Sequence, residues 1–181
     1  MTSLQGQLLV AAPSLIDPNF RRTVVLVAAH GDEGTMGLVL NRPTELELSE
    51  ASDVLDGLAG AGELVYRGGP VQISTITVLA EWEEPARAAA LVLDDVGFVP
   101  GDEDVELLVP YVSRARVFAG HAGWGPGQLE SELEREDWIV LEATPEDVFS
   151  PEPGGLWGAV LEREGGQYAL LARMPADPSL N

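Results

Sequence analysis

Apolar residues come in short blocks along this chain, and the spacing within each block predicts the element it forms. Leu8 to Ala12 is a brief apolar run closed by Pro13, and Val24 to Ala29 is apolar without interruption. A strand covered on both faces has no polar side to alternate with, so the second run predicts a strand buried on both faces. Leu38 to Leu40 follows the turn segment Gly31-Asp32-Glu33-Gly34 and is expected to pair back as a hairpin of the longer-loop kind. Thr75 to Ala80 alternates polar and apolar, as a half-exposed strand does, and Leu91 to Leu93, Arg116 to Ala119 and Trp138 to Leu141 are further strand candidates.

Helical spacing is carried by other blocks. Leu48, Ala51, Leu55 and Leu58 recur on one helical face, with Ser49 placed to cap the helix and Gly60 to end it. Pro126 suits the first turn of a helix reaching about Asp137. Leu129 and Leu133 form its narrow apolar stripe, which predicts a buried Leu133; four glutamates cover the rest, with Glu130, Glu134 and Asp137 expected largely in water. Thr144-Pro145-Glu146-Asp147 reads as a capped short helix, and Leu156, Val160 and Leu161 as another. Gly165-Gly166 turns the chain into a last apolar segment, Tyr168 to Ala172. Pro110 argues against a long regular element in Val105 to Val112. Strands and helices do not alternate regularly. The expectation is therefore an α+β fold, one compact domain over 1–181 with a mixed, largely antiparallel sheet packed with several short helices.

Composition narrows the chemistry. A chain of 181 residues buries enough surface to fold without a metal or a disulfide. It has no cysteine, which removes disulfides, iron–sulfur clusters, thiolate zinc sites and cysteine nucleophiles together. All ten basic residues are arginine. Without lysine there is no P-loop lysine and no Schiff-base amine. The net charge of −20 repels anionic polymers and anionic membrane surfaces. No basic residue precedes a hydrophobic run at the N-terminus, and no apolar stretch is long enough to span a bilayer, so a cytoplasmic location is expected.

Several segments in order carry a resemblance. They are Asp17-Pro18-Asn19-Phe20-Arg21-Arg22-Thr23-Val24-Val25, then His30-Gly31 with Gly34-Thr35-Met36-Gly37, then Asn41-Arg42-Pro43. Gly68-Gly69-Pro70-Val71 follows, then Ala119-Gly120-His121-Ala122-Gly123-Trp124-Gly125-Pro126-Gly127-Gln128-Leu129-Glu130, and finally Asp177-Pro178-Ser179-Leu180-Asn181. The set resembles the AlgH/YqgE family of bacterial proteins. The resemblance implies a compact cytoplasmic domain, some of whose members carry the label of transcriptional regulator, and it brings no catalytic residues with it. Many relatives have Cys-Glu where this chain has Ala28-Ala29, and Tyr where it has His121. A thiol role, or a mechanism needing that imidazole, is therefore not a property shared across the family.

The residues with chemistry to offer are few. His30 and His121 are the only histidines, each placed where a strand meets a Gly-rich turn. Their spacing matches no metal motif, so no metal site and no cofactor are expected. Arg42 and Arg67 stand beside backbone breaks, and with neighbouring glycine N–H groups such a pair suits an anion. Trp124 lies in Gly123-Trp124-Gly125-Pro126-Gly127, a turn able to present N–H groups under an indole ring. His30, Arg42, Arg67, His121 and Trp124 are thus the ligand-site candidates. The leading expectation is a regulatory or interaction domain with a protein or small-molecule partner, without direct nucleic-acid or membrane binding. The alternative is a small enzyme or anion-binding protein whose candidates line one cleft. No Gly-x-Ser-x-Gly elbow supports a hydrolase.

Overall fold

Alternation along the first two strands divides the core between two faces of a sheet. β1 (Gln7–Ala11) and β2 (Val24–Gly31) send Leu8, Val10, Val24 and Leu26 one way, and Leu9, Ala11, Val25 and Val27 the other. Both sets are fully buried, which is why the sequence runs apolar without a break. These assignments come from a computed structural model, which describes residues 2–176; the closing Asp177-to-Asn181 block lies outside them.

Gly31 pairs with Gly34, so β2 turns into β3 (Gly34–Val39) through Asp32 and Glu33 alone. The hairpin loop is two residues, tighter than expected. The irregularity sits inside β2 instead, where the register skips Ala28 in a bulge. The remaining strands are β4 (Pro43–Glu47), β5 (Leu64–Arg67), β6 (Val71–Trp82), β7 (Ala90–Leu93), β8 (Val96–Phe98), β9 (Val112–Trp124) and β10 (Trp138–Glu142). Together they form a ten-stranded sheet in the order β10-β1-β2-β3-β9-β6-β8-β7, with β4 and β5 branching off through β9. Every pairing is antiparallel except β5 with β9.

β9 is the hub. One side pairs with β6 over most of its length; the other takes β5 at Val117 to Ala119 and β3 at Ala122 to Trp124. Between these two partners sits Gly120, with φ of 74°. Before it, Ala115 and Val117 face one apolar cluster; after it, Ala122 and Trp124 face another, so the alternation changes phase there. A side chain on Gly68 would overlap the Gly120 carbonyl, and one on Gly69 the His121 carbonyl. The Gly68-Gly69-Pro70 block and the Ala119-to-Trp124 block are the two halves of this junction.

Helices close the three apolar clusters. α1 (Leu48–Ala51), α2 (Asp53–Ala59) and α3 (Val105–Leu108) bring Leu48, Leu58 and Leu108 to one; α4 (Gln128–Glu134) brings Leu129 to the second. α5 (Pro145–Val148), α6 (Leu156–Glu164) and α7 (Gly166–Leu171) cover the third with Val148, Trp157, Val160 and Leu161. The first helical block is broken at Ser52, which is extended (φ −166°) and accepts the Leu55 N–H; Ser52, not Ser49, is the cap, and Gly60 ends α2 as expected. α4 is shorter than expected because Gly127 and Glu136 are left-handed. Thr144 N–H donates to Asp147 at 2.8 Å at the start of α5.

Leu133 is only half-buried, whereas Leu129 is fully enclosed. We expect Leu129→Ala to cost about 2–5 kcal/mol in urea denaturation, the usual range for an enclosed leucine. Leu133→Ala should cost clearly less, and equal losses would contradict the placement of α4.

Candidate functional site

His30 is held at both ring nitrogens. Its side chain is 3% exposed, Nδ1 accepts the Leu4 N–H at 2.8 Å, and Nε2 lies 3.0 Å from Glu130 Oε1. Because a backbone N–H must donate, Nδ1 carries no hydrogen, and the Nε2–H points to the carboxylate. That hydrogen bond from His30 holds the Glu130 carboxyl below the ordinary glutamate range, aided by a backbone N–H. The histidine thus joins the N-terminal segment to α4 across the end of the β2–β3 hairpin.

Trp124 is spent in a similar way. Its indole is buried and packs with Phe20 and Trp138, the three ring pairs 5.6–5.9 Å apart. A buried indole N–H needs an acceptor. Glu132 Oε2 supplies it for both tryptophans, at 2.9 Å from Trp124 and 2.8 Å from Trp138. Glu132 Oε1 accepts from Gln128, whose own oxygen takes the Gly125 N–H at 3.0 Å. The amide offered by the Gly123-to-Gly127 turn is therefore already engaged at Gly125. The expectation that Glu130 and Asp137 lie largely in water is corrected: Glu130 reaches inward to His30, and the Asp137 side chain is only 24% exposed and tied to Arg135, while Glu132 serves donors that would otherwise lack a partner.

At the other end of the hairpin, Arg42 clamps the Asp17-to-Arg22 turn. Its Nη1 donates to the Pro18 and Asn19 carbonyls and its Nη2 to the Arg21 carbonyl, all at 2.9 Å. Asn41 completes the lock by accepting the Val24 N–H and donating to the Arg22 carbonyl. The Asn41-Arg42-Pro43 block and the Asp17-to-Val25 block are partners in space. Burial, then the nearby Arg67 charge, lowers the Arg42 pKa. Arg67 itself is exposed and makes no side-chain hydrogen bond or ion pair among the described residues. It borders a narrow crevice with Arg42, Asn19 and Gly69. His121 is half-buried on β9, opposite Val71 of β6.

The five candidates do not line one cleft. His30 and Trp124 meet through α4, at the end of β3 that carries Thr35. Arg42 and Arg67 share the far end, roughly 20 Å away at about 3.3 Å per strand residue. Among the described residues no three His, Cys, Asp or Glu gather as metal ligands. A cleft of about 520 Å³ lies elsewhere, between the Ala12-to-Ser14 turn, β10, the end of α4 and α7. Sequence reasoning missed it because its walls come from segments far apart in the chain, none with a motif.

An α+β protein built on one branched sheet, with its motif residues bonded to one another, is the class that this geometry defines. The AlgH-like family model (DUF179) matches residues 8–169, and the chain belongs to that family. It is similar to a UPF0301 protein of Streptomyces coelicolor, with 45% identity over all of this chain and 97% of the relative. A UPF0301 protein of Thermobifida fusca is 41% identical over 99% of this chain and 96% of its own length. Two solved structures share the fold. The crystal structure of protein DIP2367 from Corynebacterium diphtheriae has a TM-score of 0.88 at 30% identity, covering 96% of this chain and 94% of that one. The solution structure of the AlgH protein from Pseudomonas aeruginosa has a TM-score of 0.72 at 31% identity, covering 97% of both.

Two outcomes check the α4 network. Glu132→Ala leaves two indole N–H groups without an acceptor, and we expect a loss of roughly 1–3 kcal/mol in chemical denaturation, the cost of an unsatisfied buried donor. A stability equal to the parent's would contradict the shared acceptor. The depressed Glu130 pKa means that its contact with His30 is intact above the ordinary carboxylate range and is lost as pH falls through the folded value. Carboxyl carbon NMR should show Glu130 titrating below the exposed glutamates, and moving back up toward them in His30→Ala.

Proposed function

We propose that this protein works as a non-catalytic interaction domain, and that any influence on transcription is indirect, through a protein or small-molecule partner. The observation supporting this reading is that most side chains with chemistry to offer are spent on the fold. His30 has both nitrogens engaged, Trp124 and Trp138 share one carboxylate, and Arg42 is turned onto three carbonyls. A catalytic set needs a base and a nucleophile or electrophile free to meet a substrate.

Charge bears on the DNA question. Duplex binding draws much of its affinity from cations that displace counterions at phosphates. Here Arg87, Arg114, Arg116, Arg135 and Arg163 are each paired with a carboxylate, which halves an already small supply of ten arginines. Anisotropy titration of a labelled duplex at low salt, where such binding is strongest, should give no saturable signal. Saturable binding that weakens steeply as salt rises would refute indirect action.

A second reading, a small enzyme or anion-binding protein, keeps one specific support: Arg67 is exposed and unpaired among the described residues, beside Arg42. Inorganic phosphate titrated into the protein should then shift the Arg67 side-chain NMR signal saturably, and Arg67→Ala should abolish the response. An unsaturable drift shared by all exposed arginines would remove this reading.

A further inference from the structure

The interaction reading leaves open where a partner binds and what it is. Among the described residues β10 is the last strand of the sheet and pairs only with β1. Its hydrogen bonding follows from two contacts at its end. Ala12 N–H donates to the Asp137 carbonyl and Ala11 N–H to the Thr23 carbonyl on the opposite side. In an antiparallel ladder, successive residues point their backbone groups to alternate sides. Ile139 and Leu141 therefore face β1, while Trp138, Val140 and Glu142 present theirs outward. The Glu142 carbonyl takes Arg163 Nη2 at 3.1 Å, as this alternation requires. Trp138 and Val140 keep both N–H and C=O without a partner among the described residues.

This free edge is the floor of the 520 Å³ cleft. Leu133 at the end of α4 stands along one wall, and Tyr168 and Leu171 of α7 along the other. The two helices cover opposite faces of the sheet, so the edge lies at the bottom of a trench whose sides mix the apolar Leu133, Tyr168 and Leu171 with the polar Arg135, Glu136 and Gln167. β10 itself reads Trp-Ile-Val-Leu-Glu, with none of the proline, bulge or inward charge that blunts an exposed edge. The opposite edge, β7, differs: its register with β8 is bulged, and Gln5 donates to the Leu91 carbonyl.

Charge selects among extended segments. Glu136 lines the cleft and the exposed Glu142 ends β10, whereas the one base there, Arg135, is tied to Asp137 at 3.0 Å. A second copy of this chain would bring the same acids to the same edge, and it carries the same net charge of −20. A segment rich in arginine or lysine meets no such repulsion.

We propose that the trench along β10 is a docking site for an extended, cationic segment of another protein, which adds to the sheet as a further strand. Its backbone pairs with Trp138 and Val140, and an apolar side chain fills the space between Leu133 and Leu171. This is the β-strand addition mode, in which main-chain bonds give affinity and alternate side chains give selectivity. The proposal rests on the interaction-domain reading and names its surface and its partner class.

The test uses the full-length protein and a fluorescent peptide of alternating lysine and valine, with two controls: the same peptide N-methylated at alternate amides, and a glutamate–valine counterpart. Saturable binding of the lysine peptide is expected, together with slowed hydrogen exchange at the Trp138 and Val140 amides. Both controls should bind at least about tenfold more weakly. Val140→Pro removes only an outward N–H, the kind of position where a strand tolerates proline, and should weaken binding by a similar factor with the ladder to β1 intact by NMR. Leu171→Glu, at the trench wall, serves as an independent variant with the same expected loss. Absent binding, binding that leaves the two amides unprotected, or equal affinity for the N-methylated peptide would overturn the proposal. So would self-association through β10 seen by sedimentation and amide protection without peptide. These failures leave the interaction-domain reading in place, since only turnover of a substrate by the purified protein contradicts that.

Discussion

The structure depends on one change of partner in the middle of its longest strand. β9 leaves β5 and joins β3, and the alternation of its side chains changes phase between the two. Gly120 resolves this with a left-handed backbone, which turns the following side chains to the other face. The Gly68-Gly69 segment passes so close that neither glycine has room for a side chain. The short sheet of β4 and β5 lies on one side of this crossing, and Trp124, buried under α4, on the other.

The same logic runs through the other motif blocks. Asn41 and Arg42 lock the Asp17-to-Arg22 turn, His30 ties the N-terminal segment to Glu130, and Glu132 serves two indoles at once. In a chain with a large excess of carboxylates and no lysine, acids take over work that a neutral acceptor does elsewhere. A buried donor without a partner costs more than an ordinary hydrogen bond contributes, so these contacts constrain the fold more strongly than their number suggests. Other surface is left free for partners. Among the described residues it includes the strand edge at β10, Arg67, and exposed isoleucines such as Ile73 and Ile76 on β6.

Much of the fold was legible in the sequence because local signals and tertiary structure agree. The unbroken run at Val24 announced a two-faced strand, Gly60 and the Thr144-to-Asp147 segment marked real helix ends, and irregular ordering of elements gave α+β. The misses share a cause. Ser49 and Ser52 both suit a cap, and the break between α1 and α2 at Ser52 selects the second. Leu133 continues the stripe of Leu129, but α4 stops at Glu134, near the sheet edge, where one leucine is covered and the next opens onto the cleft. The candidate site was legible as residues and not as geometry. Nothing in the spacing of His30, Arg42, Arg67, His121 and Trp124 says that two of them meet α4 while two others sit at the far end of the hairpin. A buried tryptophan N–H does demand an acceptor, and that rule is the signal by which Glu132 could have been found.

The most direct measurement of this dependence is equilibrium unfolding of Gly120→Ala in urea, followed by tryptophan fluorescence. A side chain at Gly120 must adopt a left-handed backbone and lies 2.6 Å from the Gly69 carbonyl oxygen. The left-handed conformation alone costs roughly 1–2 kcal/mol for an ordinary residue. A loss above that range, with the Trp124 and Trp138 emission altered in the folded baseline, is the expected result. A variant within about 0.5 kcal/mol of the parent, the range of a neutral surface change, with unchanged emission, would contradict the claim that the crossing at Gly120 organises the fold.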